Sequence, residues 1–309
     1  MVIHMLIIGH LCIDEKIIDN RRVPLQLGSS VAYASIASVK NNYKNGLKTK
    51  VISKIGYDFP DSFLNFLKNN NVPIDYIYKV NCKSTRYKLI YEKDERIALK
   101  LENICEKIKR EDIPIQLIKE SNIIYFALIA NEIDFSAIEW IKINFPDKLI
   151  CLDIQGILRF KKEDKGIYLA KNDQIIKLLK SIDIIKMADY EAKILINSDN
   201  LKNIAKLTSN LGPKIVIITC GFKGSLIYDS KNNCYYTIPA VIPKKIIDIT
   251  GTGDTYFSSF LSEYYKTNNL KHSGLYAATF VSFLIQQEGL KGMPIREQVI
   301  DKMNELGFL

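Results

Sequence analysis

Short apolar runs rich in Ile and Val recur along the chain, each followed by a longer stretch of mixed apolar and polar residues. Runs of this kind suit strands buried on both faces, and the stretches between them suit helices that cover a parallel sheet. The candidate strands are HMLIIGH at 4–10, KVISKIG at 50–56, NIIYFALI at 122–129, KLICLDI at 148–154, DIIKMA at 183–188 and PKIVIITC at 213–220. Candidate helices lie at 31–42, 59–71, 172–181 and 200–211, joined by the short connections of a wound α/β fold.

Two segments break this rhythm. From Ser84 to Leu101 apolar and polar residues alternate around a charged turn at Glu92–Glu95, which predicts an antiparallel hairpin with one wet face. The segment from Ile13 to Leu27 is also expected to be extended, with Pro24 arguing against a helix. Together they predict a small sheet beside the main one, either an ordinary edge hairpin or a lid.

Composition narrows the chemistry. The 309 residues carry 43 Lys plus Arg and 34 Asp plus Glu, a formal charge of +9, with 47 % hydrophobic residues. Length alone suits one large α/β domain or two smaller ones, and no Gly/Ser linker or low-complexity tract marks a boundary. The basic residues are interleaved with acids, as in KKEDK at 161–165, which reads as a solvated surface and not as a nucleic-acid footprint. Six cysteines without a C-x-x-C pair and three scattered histidines argue against a zinc knuckle and a Ser-His-Asp hydrolase, leaving carboxylates for acid–base chemistry. The apolar N-terminus reaches Asp14 early and reads as a strand, and no apolar run approaches a membrane span, so a reduced, cytoplasmic protein without a membrane partner is expected.

The most informative segment is IIDITGTGDTYFSSFLSEYY at 246–265. A turn of small residues, Thr250 to Gly253, leads into an amphipathic helix opened by Asp254. Glycines let backbone amides turn toward a ligand, and a helix N-terminus adds unpaired N–H groups and partial positive charge, a combination suited to phosphate. A carboxylate beside such a cradle is placed to take a proton from an attacking hydroxyl; the plainer alternative is a helix capped by Asp after a glycine turn. The Walker spacing is absent.

The run DITGTGD resembles the C-terminal signature of the ribokinase (PfkB) family of carbohydrate kinases, and further landmarks follow that family's order over the whole chain. The resemblance implies a three-layer, doubly wound, ribokinase-like α/β sheet in one domain over 1–309, with a small β lid from segments near 12–27 and 83–101. It implies an anion hole at Gly251, Thr252 and Gly253, a catalytic base at Asp254, and nucleotide contacts at Thr219, Gly221 and Gly224 in TCGFKGS. In KMADYEA it places Lys186 and Glu191 on the nucleotide side. Glu191 there organises Mg²⁺-bound water, while Ala188 stands where the family has Asn. Asp14, Gly28, Ser29 and Tyr33 take the positions of acceptor-binding residues, with Ser29 at the second glycine of a Gly-Gly signature and Tyr33 where ribokinases carry Asn. Asp248 and Thr250 correspond to positions that help bind K⁺ in ribokinase-like members.

The chemistry implied is transfer of the γ-phosphate of ATP, with Mg²⁺, to an alcohol. CLDIQGILRF at 151–160 resembles the D-x-Q-G-x-x-R stretch of an archaeal and plant subgroup that includes inositol kinases. Asp153, Gln155 and Arg159 are therefore expected to line the cleft, the alternative being a strand-end cap with an arginine paired to a neighbouring acid. A sugar or cyclic polyol, with myo-inositol one candidate, is the favoured acceptor. A nucleoside kinase, with Tyr33 or Phe126 sandwiching a base, is the first alternative, and a non-catalytic binding protein is the second. The exposed lid edge offers a route to a homodimer.

Overall fold

The computed structural model describes residues 3–42, 47–92 and 95–309. Its strands are β1 (Ile3–Ile8), β2 (Cys12–Ile18), β3 (Arg21–Arg22), β4 (Gln26–Gly28), β5 (Leu47–Ile55), β6 (Tyr76–Lys79), β7 (Arg86–Glu92), β8 (Glu95–Asn103), β9 (Ile123–Phe126), β10 (Leu149–Asp153), β11 (Arg159–Lys161), β12 (Ile167–Leu169), β13 (Ile184–Ala188), β14 (Ile215–Thr219), β15 (Ser225–Asp229) and β16 (Cys234–Ile238). Nine of them form the central sheet in the order β16-β15-β14-β13-β10-β9-β1-β5-β6. The seven from β14 to β6 pair in parallel, and β15 and β16 add an antiparallel edge.

Alternate residues of the parallel strands serve opposite faces, as a pleated strand requires. Met5, Ile7, Ile123, Tyr125 and Ile217 face one apolar cluster, packed beneath the helices Ser30–Asn42, Thr252–Thr267 and Leu270–Leu284. Leu6, Ile8, Ile124, Phe126 and Ile218 face the other, beneath Phe135–Asn144, Asp189–Ile196 and Leu201–Asn210. The result is the expected three-layer α/β arrangement. All six predicted strands and all four predicted helices are present. The hairpin β15–β16 and the helix Leu270–Leu284 were not anticipated by the hydropathy pattern.

The two alternating segments meet in a second sheet, ordered β3-β2-β7-β8, with β4 on β2. The pair β7–β8 is antiparallel, as predicted; β2 and β7 run parallel from Ile13 opposite Arg86. Within the charged turn, residues 93–94 lie outside the described residues. This sheet turns Tyr87, Leu89 and Leu101 onto Ile129 and Ala130, which follow β9, so it stands over the C-terminal ends of the parallel strands. No described helix is long and apolar enough to cross a membrane.

Candidate active site

Between the C-terminal ends of β9, β10, β13 and β14, the small sheet and the start of the helix Thr252–Thr267 lies a cleft of about 860 Å³. Clefts of α/β sheets form at this end of the strands because the connections diverge there. The cleft brings together Asp14, Ser29, Tyr33, Gln155, Arg159, Lys186, Glu191, Thr219, Gly221, Gly224, Asp248 and 250–254, residues spread over most of the chain.

The helix Thr252–Thr267 starts from Gly251, whose φ of 73° is left-handed. A side chain there would strike the Tyr33 ring, 2.1 Å from an added Cβ, so the turn needs glycine twice over. An added Cβ on Gly253 would lie 2.9 Å from Lys186 Nζ. The Lys186 ammonium therefore rests against the first helical turn, at the positive end of the helix dipole, where anions are favoured. Its Nζ sits 2.6 Å from Asp153 Oδ2, and both side chains are almost fully buried. Burial opposes the Lys186 charge, but Asp153, Glu191 and Asp254 more than compensate and hold its pKa above the ordinary value.

Asp254 follows directly. Burial and the neighbouring Asp153 push its carboxyl up to about 6, against the pull of Lys186, the Ser30 hydroxyl and Arg159. A carboxyl poised near neutrality suits a general base. Gln155 Nε2 donates to Asp254 Oδ1 at 3.3 Å and to Ser30 Oγ at 2.8 Å, while Arg159 Nη2 donates to Gln155 Oε1 at 2.9 Å.

On the side of the small sheet, Gly28 leaves room for the Asp14 carboxylate, which an added Cβ would meet at 2.4 Å. Ser29 has a φ of 98°, a conformation that favours glycine, and its Oγ accepts from Ala32 N at 3.2 Å. The second glycine of the expected signature is thus replaced by a strained residue that caps the following helix. The wall above Asp14 is formed by Tyr87, Leu89, Tyr91, Leu99 and Ile129. The Tyr87 hydroxyl donates to the Ile129 carbonyl, and the Arg159 guanidinium lies 5.9 Å from the Tyr87 ring centre.

On the opposite side, β14 ends at Thr219, and Gly221 and Gly224 carry φ of 56° and 90° in the turn before β15. At Gly224 an added Cβ would meet Ile238 O at 2.0 Å. Glu191 is buried; its Oε2 caps Ala188 N at 2.7 Å and its Oε1 accepts from the Tyr190 hydroxyl, and burial raises its pKa. Asp248 Oδ1 accepts from Thr250 N at 2.8 Å and Oδ2 from Gly289 N at 3.1 Å, with Lys16 Nζ 3.8 Å away. These bonds outweigh burial and hold Asp248 below the ordinary carboxylate pKa. Among the described residues, no group of three or more His, Cys, Asp or Glu side chains is placed to hold a metal ion.

Two expectations change. Asp153 is fully buried, lies outside the cleft lining and is committed to Lys186 and, through Oδ1, to Gln155 N. A strand-end carboxylate reads the same in sequence whether it faces ligand or a buried lysine. Phe126 points into the lower core and has no face for a base. Ser30, Lys16 and Tyr87 enter the site without a sequence signal, because no local pattern distinguishes them.

Residues 36–296 match the pfkB family of carbohydrate kinases. The chain is 26 % identical to a cytidine kinase of Thermococcus kodakarensis over 85 % of its length and 89 % of that protein. Among solved structures, a fructokinase with bound ATP from Xylella fastidiosa superposes with a TM-score of 0.82 at 14 % identity, covering 99 % of this chain and 100 % of that one. A pyrophosphate-dependent kinase of the ribokinase family, complexed with a pyrophosphate analogue and myo-inositol, superposes with a TM-score of 0.78 at 21 % identity, covering 96 % and 99 %. These last two likenesses are of fold. A glycine-led helix start with a raised carboxyl beside it accords with a family match across most of the chain: the protein belongs to the pfkB family of carbohydrate kinases and is a phosphotransferase with a hydroxyl acceptor.

Proposed function

We propose that the chain transfers the γ-phosphate of ATP to a hydroxyl of a nucleoside-sized acceptor, with the small sheet as its lid and Asp254 as base. The observation that carries the phosphoryl-transfer half is the Lys186 ammonium against Gly253, next to Asp254 at a helix N-terminus. The acceptor hydroxyl oxygen bonds to phosphorus, its proton passes to the Asp254 carboxylate, and the bond from phosphorus to the donor's bridging oxygen breaks. Gly251, Thr252 and Gly253 amides and Lys186 neutralise the transferred group, in keeping with a loose transition state that needs positioning and charge. Thr219, Gly221 and Gly224 border the donor side, beside the apolar Val241, Ile242 and Ile247. Glu191 would approach a Mg²⁺ brought with the donor only through water, its own oxygens accepting from Ala188 N and the Tyr190 hydroxyl, and such an ion would supply charge neutralisation there. Lid closure excludes water from the transferred group.

The acceptor reading rests on the wall of Tyr87, Leu89, Tyr91, Leu99 and Ile129 above Asp14. An apolar, partly aromatic wall with one carboxylate below suits a flat base joined to a sugar, and the similarity to a cytidine kinase supports it. This reverses the order of the two acceptors favoured from sequence. A cyclic polyol such as myo-inositol is the second reading, favoured by Gln155 and Arg159 lining the cleft within the D-x-Q-G-x-x-R stretch. A panel of cytidine, adenosine, ribose, fructose and myo-inositol with ATP tests both. Highest kcat/KM on a nucleoside is expected, and highest on myo-inositol sinks the first reading. Asp254→Asn is expected to lower turnover ~10²-fold or more; near-normal turnover removes the base assignment, and no turnover of any alcohol by the native chain returns the reading to a binding protein.

K⁺ near Asp248 and Thr250 belongs to the same reading, but Lys16 already brings an ammonium to that carboxylate. Replacing K⁺ by tetramethylammonium is therefore expected to change turnover little, and a large loss overturns this view. The setting is taken as cytoplasmic. The β3 edge of the small sheet is two residues long and carries exposed arginines at both, which disfavours pairing through that edge and leaves the longer β8 edge as the route to the expected homodimer.

A further inference from the structure

Gln155 was expected to touch the acceptor, yet every polar atom of its side chain is engaged inside the protein. Its Oε1 accepts from Arg159 Nη2, and its Nε2 reaches Asp254 Oδ1 and Ser30 Oγ. Chemistry dictates this orientation: a guanidinium only donates and a carboxylate only accepts, so a side chain between them must accept on one side and donate on the other. A primary amide does both; a carboxylate, a second cation or an alkyl group does not. Ser30, at the first turn of the helix Ser30–Asn42, accepts from Gln155 and gives its own proton to Asp254, closing a triangle around the carboxylate.

We infer that Gln155 is a positioning residue for the base: anchored by Arg159, its amide and the Ser30 hydroxyl fix the Asp254 carboxylate in the orientation that takes the acceptor proton. This rests on the reading of Asp254 as the base. The Ser30 hydroxyl favours the charged form of Asp254 and keeps the carboxyl lower than burial alone would hold it; an amide N–H donated by Gln155 at 3.3 Å acts in the same direction. The other groups facing Asp254 are Asp153 on β10, Lys186 on β13, Arg159 on β11, Tyr33 on the helix Ser30–Asn42 and Tyr125 on β9. None is itself substituted below, although Gln155→Leu also removes the acceptor of Arg159 Nη2, which Ser30→Ala leaves in place.

The test is steady-state kinetics across pH with the best acceptor of the panel, on Gln155→Leu, Gln155→Glu and Ser30→Ala, with Asp254→Asn as control. Gln155→Leu is expected to lower kcat by up to ~10²-fold, the size expected of a misplaced catalytic group, with KM for acceptor and ATP nearly unchanged. The acidic limb of its pH–rate profile moves to higher pH, because the carboxylate has lost a donor. Gln155→Glu moves that limb further, since two carboxyls then share the site, and Ser30→Ala moves it the same way by less. Should Gln155→Leu fail to fold, Ser30→Ala carries the same prediction. A raised acceptor KM with kcat retained returns Gln155 to an acceptor ligand and overturns the inference, as does an acidic limb unmoved in both Gln155→Leu and Ser30→Ala. If Asp254→Asn is inactive while those limbs stay put, the positioning role alone fails; if Asp254→Asn is active, the base assignment fails first.

Discussion

Asp254 is a residue that the fold holds at a cost. Its carboxyl is raised from 3.8 to about 6, with burial the largest cause and Asp153 the next. A carboxyl whose folded pKa lies above its unfolded one binds its proton more tightly in the folded state. It therefore weakens the fold fully above pH 6, and the penalty fades as pH falls toward 4. Two pKa units correspond to at most about 3 kcal/mol. Asp254→Asn is thus expected to melt higher than the native chain at pH 8 and to lose that advantage near pH 4; equal melting at both pH values would show that the buried charge costs nothing. The glycines and Asp254 were legible because a glycine-led helix start is written contiguously in sequence. Ser30, by contrast, is an ordinary helix-opening serine until the fold brings Gln155 to within 2.8 Å of it.

At the scale of elements, legibility followed burial. Strands buried on both faces and helices with one wet face carry a period, and their positions were predicted. The helix Leu270–Leu284 has buried residues on nearly all sides, so no amphipathic stripe distinguishes it from an apolar strand. The hairpin β7–β8 was plain from alternation, but its root was not: Cys82 precedes β7, Cys105 follows β8, and their sulfurs lie 3.2 Å apart. Burial and the Cys82 sulfur push the Cys105 thiol up to about 12, so the less buried Cys82 is the attacking thiol. Oxidised glutathione is expected to join the pair: Cys82 displaces one glutathione thiolate, Cys105 the second, and the oxidant leaves as two thiols. Thiol titration and peptide mapping read the outcome. Loss of thiols elsewhere with both of these still reactive would show that the hairpin root does not bring them into register.

Across the whole molecule, the wound sheet was readable from its parts, whereas the apolar wall on which the proposed acceptor rests was not, because it comes from strands of the small sheet meeting the loop after β9. The +9 charge contributes little to the site, whose cations are Lys186, Arg159 and Lys16. Lys16 links the two halves of the cleft. It sits on β2, two residues beyond Asp14, and reaches Asp248, which fixes the loop leading into Gly251. One strand therefore carries Asp14 and, through Lys16, reaches the loop before Gly251; if these are the acceptor and phosphate sites proposed above, the two binding equilibria are expected to be interdependent. Thermodynamics then demands reciprocity: whatever factor an acceptor adds to the affinity for a non-hydrolysable ATP analogue, the analogue must add to the affinity for the acceptor. Calorimetric titration in both orders is expected to show a shared factor that falls toward one in Lys16→Met; an unchanged factor in that variant would place the communication elsewhere. The change in one affinity when the other ligand is bound, rather than either affinity alone, is where the reach of this lysine becomes measurable.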